Sequence, residues 1–378
     1  MCIDATVVPV FGKRGTSKRS ERVPIDPDAG WYVREGDHRD GEDKKYRKSA
    51  WGYEATLVTM VTNDPAENAL FPRLILAIGF GKPGVDIAGH GSRTLNSIAK
   101  RGHPAGLAVA DRAYLPSSKP EDLQLPLRAL GYGLVFDYKE SQLGITASYE
   151  GAIQVEGAWY CPQMPTPLIE ATIDFRAKES IDIETYAKRI EQRRRYLLRP
   201  KAKPDHDGYT PMMCPAAGAS ATVACPLKRQ TKDRFGLTHL AAVPVSPSKI
   251  CTNRSSVSFP PTAGAKYAQT LPYGSPEWHA MYASARNTIE GFNGYVKDAN
   301  YGALDQPGRR RMVGYSAQYL LATLSVAAAN VRKVHTFLAE EERRQPLTAP
   351  VRRPRRRDRL ADCVHATNAT AKGNDPPV

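Results

Sequence analysis

Five residues near the C-terminal third fall on one side of a helix by spacing alone. At about 100° per residue, Tyr282, Arg286, Glu290, Asn293 and Lys297 lie within roughly an 80° sector. A carboxylate between two cations on one stripe is an awkward solvated face. It suits the grip of a metal ion and of the phosphates beside it. Two distant acids complete the set: Asp4 near the start of a β-branched run, and Asp111 closing the short apolar run Leu107-Ala108-Val109-Ala110. Phosphodiester cleavage needs an activated water or hydroxyl, and neutralisation of charge on the attacking and leaving oxygens. Two magnesium ions about 3.5–4 Å apart serve both needs. Magnesium favours carboxylate oxygens, and three carboxylates gathered without a cation repel one another and raise at least one pKa. Asp4, Asp111 and Glu290 therefore read as ligands for Mg2+ or Mn2+, two ions to the site.

The elements that would position these residues follow from pattern. Residues 2–11 read as a strand, 12–50 as a long polar connection, Trp51–Val61 and Arg73–Phe80 as further strands. A short helix over Thr94–Arg101, the strand ending at Asp111, a helix over Leu125–Leu130 and a strand over Gly133–Tyr138 follow. This order predicts an α/β fold with a mixed sheet, and a carboxylate at the end of an inner strand stands where such sheets place their chemistry. Between about 140 and 272 prolines and cysteines cluster and strands become short. That stretch reads as an insertion, with one helix over Asp182–Leu198 carrying Arg189, Arg193, Arg194, Arg195 and Arg199, then Lys201 and Lys203. The run from Arg193 to Arg199 divides evenly between a solvated face and a phosphate contact. Ser275, Pro276 and Glu277 then mark a helix start. Gly291 and Gly294 each cost that helix about 1 kcal/mol against alanine, which fits either a close approach to its backbone or local flexibility.

The chain has 378 residues, 53 Lys+Arg against 39 Asp+Glu and a net charge of +14, a balance that favours a polyanionic partner such as nucleic acid. Six cysteines do not make a disulfide framework, and no stretch has the length of a secretory apolar core. Tyr315–Val331 is the most apolar segment, but Ser316, Gln318, Ser325 and Asn330 interrupt it. It reads as a buried helix, not a membrane span, and the protein as cytoplasmic. Beyond it lies an arginine- and proline-rich tail. Cys161, Cys214, Cys225 and Cys251 lack the C-x2-C spacing of structural zinc. They read as reduced cysteines, with a zinc staple as the alternative. His90, His103, His206, His239 and His279 show no ligand spacing, and residues 79–84 read as a turn without the spacing of a phosphate-cradling loop.

These residues resemble the bacterial insertion-sequence transposases of the DDE type, in the branch with a β-rich insertion before the last catalytic acid. Its last helix carries a Tyr-Arg-Glu-Lys signature with three residues between Arg and Glu and six between Glu and Lys. Arg286, Glu290 and Lys297 meet both spacings, whereas Tyr282 stands three residues clear of the arginine where the family has two. Ala110-Asp111-Arg112 is similar to the second aspartate of the family and Ile3-Asp4-Ala5-Thr6 to the first. The resemblance spans about residues 1–338. It implies a ribonuclease-H-like core, mixed sheet flanked by helices, over 1–140 and 273–340, a β-rich insertion over 141–272 and a basic tail over 341–378. It implies metal-dependent cleavage at transposon ends and strand transfer, with Asp4, Asp111 and Glu290 on the metals and Tyr282, Arg286 and Lys297 on DNA. Assembly as a homodimer on paired ends would go with it. Family members carry a DNA-binding region ahead of the first catalytic strand, so this form resembles an N-terminally truncated one, or else end recognition falls to the insertion and the basic segments. The alternatives are a catalytically inactive DNA-binding remnant, or a related nuclease without strand transfer. Lys297 at its spacing argues against the latter.

Overall fold

The computed structural model describes residues 1–12, 24–35, 47–65, 70–232, 234–240 and 245–344. The basic tail beyond 344 and much of the 12–50 connection lie outside the described residues. Residues 1–333 form one compact unit. It opens with strands β1 (Cys2–Pro9), β2 (Gly30–Glu35), β3 (Arg47–Thr59) and β4 (Ile75–Gly81). Helix α1 (Ile87–Lys100), strand β5 (Leu107–Ala110), helix α2 (Gln124–Ala129) and strand β6 (Gly133–Phe136) follow. Strand β3 is long enough to pair β2 along its first half and β4 along its second, both antiparallel. On its other edge β3 meets β1 antiparallel, and β5 and β6 then continue the sheet parallel to β1. The fold is thus mixed α/β around one six-stranded mixed sheet.

Helix α1 starts seven residues earlier than its apolar pattern suggests, taking in Gly89 and Gly91. A Cβ at Gly91 would stand 3.3 Å from both Leu123 and Tyr114, so its glycine lets the helix lie close against the segment after β5. Neighbouring residues of a strand point to opposite faces, and β3 shows what covers each. Leu57 packs with Phe292, Val296, Ala322 and Val326, whereas Val58 packs with Leu95, Ile98, Leu123 and Leu127. Helices therefore cover both faces of the sheet.

The stretch after β6 holds β7 (Ile145–Tyr149), β8 (Ala152–Val155), β9 (Ala158–Tyr160), α3 (Thr166–Ile169), α4 (Ala171–Arg176) and α5 (Ile183–Arg193). It continues through β10 (Arg199–Pro200), β11 (Thr210–Met213), β12 (Val223–Ala224), β13 (Thr238–His239), α6 (Lys249–Thr252) and β14 (Val257–Phe259). Its strands are short and form three small sheets. Glu150-Gly151 and Glu156-Gly157 each join two strands with both residues at positive φ, the geometry that matches a two-residue hairpin to strand twist.

Much of the basic run here is paired within the protein. Arg193 is buried with Glu156, and Arg189 pairs with Asp174 at 2.7 Å. Arg194 reaches Glu277 at 3.1 Å, and Arg199 donates to the carbonyl of Ala217 at 2.7 Å. Neither sequence reading of Arg193, solvated face or phosphate contact, survives this burial.

Helix α7 (Pro276–Lys297) begins where its sequence signals place it: Ser275 accepts from the Trp278 N–H at 3.2 Å, with Pro276 in the first turn. Helix α8 (Tyr315–Arg344) buries Gln318, Ala322, Val326 and Ala329. Two of the polar residues that interrupt its apolar sequence, Gln318 and Asn330, have structural partners. Gln318 donates to the carbonyls of Arg310 and Met312. Asn330 accepts from the Ile75 N–H at 3.0 Å and donates to the Ile75 carbonyl at 2.8 Å, closing the outer edge of β4. Tyr315 and Tyr319 cap the Phe80 and Ile78 carbonyls of the same strand at 3.0 and 3.1 Å. Asn330→Ala strips both bonds from Ile75 at this edge, and we expect a loss of about 1–3 kcal/mol in urea denaturation. Residues 334–344, the last turns of α8, belong to a second unit, within which Arg344 pairs with Glu341 at 3.0 Å. Among the described residues no helix is long and apolar enough to cross a membrane.

Candidate active site

Strand β1 is buried but for the partly exposed Ala5 and Pro9, and Asp4 is the one charged residue along it, 8% exposed. Cys2 and Ile3 pair in parallel register with Val109 and Ala110. One further step along both strands sets Asp4 beside Asp111. That aspartate ends β5 half-buried, its Oδ1 accepting the Ala113 N–H at 2.9 Å and fixing the turn. Arg112 braces the same turn from below by donating through Nε to Asp137 at 3.0 Å, and Asp137 at the end of β6 also accepts from Arg176 and Tyr273. Burial alone would raise the Asp137 carboxyl, but Tyr273, Arg176 and Arg112 hold it below the ordinary carboxylate range. It stays an anion and acts as the keystone of the turn.

Helix α7 lays its stripe over this pair. Asn293 donates Nδ2 to Asp4 Oδ2 at 2.9 Å, and an Arg286 terminal nitrogen stands 3.2 Å from Asp4 Oδ1. The other Arg286 terminal nitrogen donates to Glu290 Oε1 at 2.9 Å. Burial raises the Asp4 carboxyl, Arg286 draws it back and Asp111 raises it again, which leaves it at about 6. The Arg286 guanidinium moves in the direction that favours its charge: its own burial is outweighed by Asp4 first, then by Cys2 and Asp111. The two shifts describe an unequal pair, in which the more enclosed aspartate loses more hydration than the arginine returns. Asp4 and Asp111 are thus two neighbouring carboxylates with one shared cation between the strand and the helix.

The remaining expected residues are placed differently. The Glu290 side chain is 58% exposed and engaged with Arg286. Among the described residues no three His, Cys, Asp or Glu side chains stand gathered around one point for a metal. Asp4, Asp111 and Arg286 come together, and Glu290 joins them only through the arginine. Tyr282 is stacked on Trp278, ring centroids 4.9 Å apart, and packs against the core; burial raises its hydroxyl pKa. Lys297 is half-buried at the end of α7. A Cβ at Gly291 or Gly294 would meet nothing within 4 Å, so no other part of the described chain crowds the helix there.

Sequence reasoning placed Asn293 on the stripe without giving it a role; its spacing of seven from Arg286 was the available signal. It missed Glu54, half-buried on β3. Burial first, then Asp111 and Asp4, raise the Glu54 carboxyl, against the Gly84 N–H, which donates to it at 3.0 Å. Nothing local in the sequence around Glu54 distinguishes it from a strand-face glutamate. Comparison with protein-family models, with curated proteins and with solved structures gave no match.

Proposed function

We propose that this chain is a DDE-type transposase that cuts DNA at transposon ends with divalent metal and joins the freed 3′ hydroxyl to target DNA. The observation that carries the reading is the register that sets Asp4 beside Asp111 under the Arg286–Asn293 stripe. The sheet order supports it: β1, β3 and β4 pair antiparallel, with β2 as an added antiparallel partner of β3, and β5 and β6 follow parallel to β1, with helices on both faces, as a ribonuclease-H-like core would require. The charge of +14 fits a DNA partner, and the five described cysteines, all free, fit a reducing compartment such as the cytoplasm. Two copies acting on paired ends belong to the same reading.

The residues present fit a hard dication. Asp4 and Asp111 supply carboxylate oxygens side by side, and the Asn293 carbonyl oxygen is buried without a hydrogen-bond partner. When bound, such ions supply charge neutralisation at the scissile phosphate and a nucleophile at neutral pH. Asp4 and Asp111 would hold them, and Glu290 would join by releasing Arg286. Arg286, freed from two carboxylates, would then offer its planar fork to a phosphate, with Lys297 as a second positive charge further along the stripe.

A second reading has its own observation. Glu290 turned outward and tied to Arg286 is what a catalytically inactive DNA-binding remnant would retain. The test gives purified protein Mg2+ or Mn2+ and DNA carrying the element's own ends, with Glu290→Gln alongside. We expect nicking at 3′ ends that the substitution reduces at least a hundredfold, more than loss of an outer-shell partner costs. Equal nicking by both proteins removes Glu290 from the mechanism, and DNA binding without nicking by either establishes the remnant.

A further inference from the structure

Among the described residues no strand pairs the outer edge of β4. Helix α1 walls that edge on one side and the start of α8 on the other, leaving a cleft of about 500 Å³ between them. The strand's own backbone is the floor. Tyr319 and Tyr315 donate to the Ile78 and Phe80 carbonyls, and Arg101 donates to that of Leu76 at 2.6 Å. A residue of an antiparallel pair turns its N–H to the same side as its carbonyl. The Ile78 and Phe80 N–H groups therefore open into the cleft.

Pairing on β3 agrees. Met60 N–H donates to the Leu74 carbonyl and Trp51 accepts from Val10, so even-numbered residues of β3 face β4 and odd-numbered ones face β1. Ala55 and Leu57, which stand opposite Phe80 and Ile78, are odd-numbered. They leave those two N–H groups without an acceptor from the sheet.

The walls carry positive charge. Arg93, Arg101 and His90 line the cleft, and no described Asp or Glu does. Arg101 donates to the Ser97 and Leu76 carbonyls and has no carboxylate partner among the described residues. Arg93 pairs with Asp86 at 2.8 Å, but both side chains are more than half exposed, and such a pair holds its members weakly.

We propose that this cleft binds the phosphate groups of a nucleic-acid strand or nucleotide, with the Ile78 and Phe80 N–H groups and the Arg93 and Arg101 guanidinium groups as donors. An added β-strand fits less well, because it must donate to the two carbonyls that the tyrosines already occupy. Phosphodiester oxygens only accept. The two N–H groups stand about 7 Å apart, two residues at about 3.4 Å each, a spacing of the same order as that of neighbouring phosphates on an extended strand. Guanidinium forks match phosphate geometry, and the net charge of +14 favours such a partner. Strand β3 separates this edge from β1 and Asp4. The cleft shares with the proposed function only a polyanionic partner and needs neither metal nor cleavage.

The test uses the full chain in EDTA, so that cleavage and binding are judged separately. The probes are a fluorescein-labelled thymidine decanucleotide, thymidine 5′-monophosphate and inorganic phosphate. Hydrogen–deuterium exchange of the peptide covering β4 should slow at two amides when the ligand is bound. Protection by the decanucleotide alone identifies a strand as the source of the phosphate; equal protection by the monophosphate or inorganic phosphate identifies a free one. By fluorescence anisotropy, Arg93→Ala with Arg101→Ala should weaken decanucleotide binding more than about tenfold. The slope of log affinity against log salt should fall by about 1.4, two contacts at about 0.7 each for a single strand. Ser97→Glu, at an exposed position on the same wall, should abolish the protection, and it decides the matter should the double variant not fold. Unchanged exchange of β4 with all three probes in excess overturns the proposal, as does a Ser97→Glu protein with the parent's affinity and protection.

Discussion

Changing Arg193 to methionine should destabilise the protein by about 3–5 kcal/mol, the cost of breaking a buried ion pair by removing one partner. Glu156 is 1% exposed and Arg193 2%. The guanidinium also donates through its remaining nitrogens to the carbonyls of Leu168 and Ile169, so one side chain closes the end of α3 onto α5. Thr172 Oγ1 donates to the same carboxylate at 2.8 Å. Methionine matches the aliphatic volume but leaves Glu156 charged in an apolar pocket, at the positive-φ corner of the β8–β9 hairpin. Equilibrium urea unfolding measures the loss. The double change Arg193→Met with Glu156→Gln should recover much of it, because an amide strands no charge. A single variant within about 0.5 kcal/mol of the parent, the ordinary scatter of surface changes, would show that the pair contributes no net stability.

If the proposed function holds, Asp4→Asn and Asp111→Asn should each cut metal-dependent nicking by more than about a hundredfold; whatever the function, Asp4 should leave a mark on pH dependence. Its folded pKa of about 6 lies above the value near 3.9 of an unfolded aspartate. Below about pH 4 both states are protonated and Asp4 contributes nothing. As pH rises from 4 to 6 the unfolded state ionises first, and folding loses stability. Above 6 the penalty levels off at about 3 kcal/mol, two units at about 1.36 kcal/mol each. Asp4→Asn should remove that decline, so without metal the variant should melt above the parent at pH 7.5 and alongside it at pH 4. A dication competes with the same proton, so stabilisation by Mg2+ or Mn2+ should weaken as pH falls through 6. Parent and variant with identical pH–stability curves would show that Asp4 keeps an ordinary carboxyl in the folded protein.

How much could be read before the structure depended on how local the cause was. The start of α7 was fully legible, because Ser275, Pro276 and Glu277 act within one turn. The run Leu107–Ala110 ending in Asp111 was legible too, being apolar, short and followed by a turn. The strand Gly30–Glu35 was absorbed into a polar connection because β3 supplies its pairing, and its own sequence carries little apolar alternation. The Arg193–Glu156 pair was invisible for a similar reason: nothing in a run of arginines says which one faces inward.

The stripe on α7 shows the division most clearly. Helical geometry alone put Arg286, Glu290, Asn293 and Lys297 on one side, since 3.6 residues per turn is fixed by the backbone. It could not say which carboxylate the arginine would choose. Asp4 comes from a strand 282 positions away, and only sheet register and helix docking bring it to 3.2 Å of the guanidinium while Glu290 remains largely in solvent. Chain-local forces chose the residue types, the helix face and the strand ends. Long-range packing chose the partners, because burial sets the strength of a charge interaction and burial exists only once the sheet and its helices have closed.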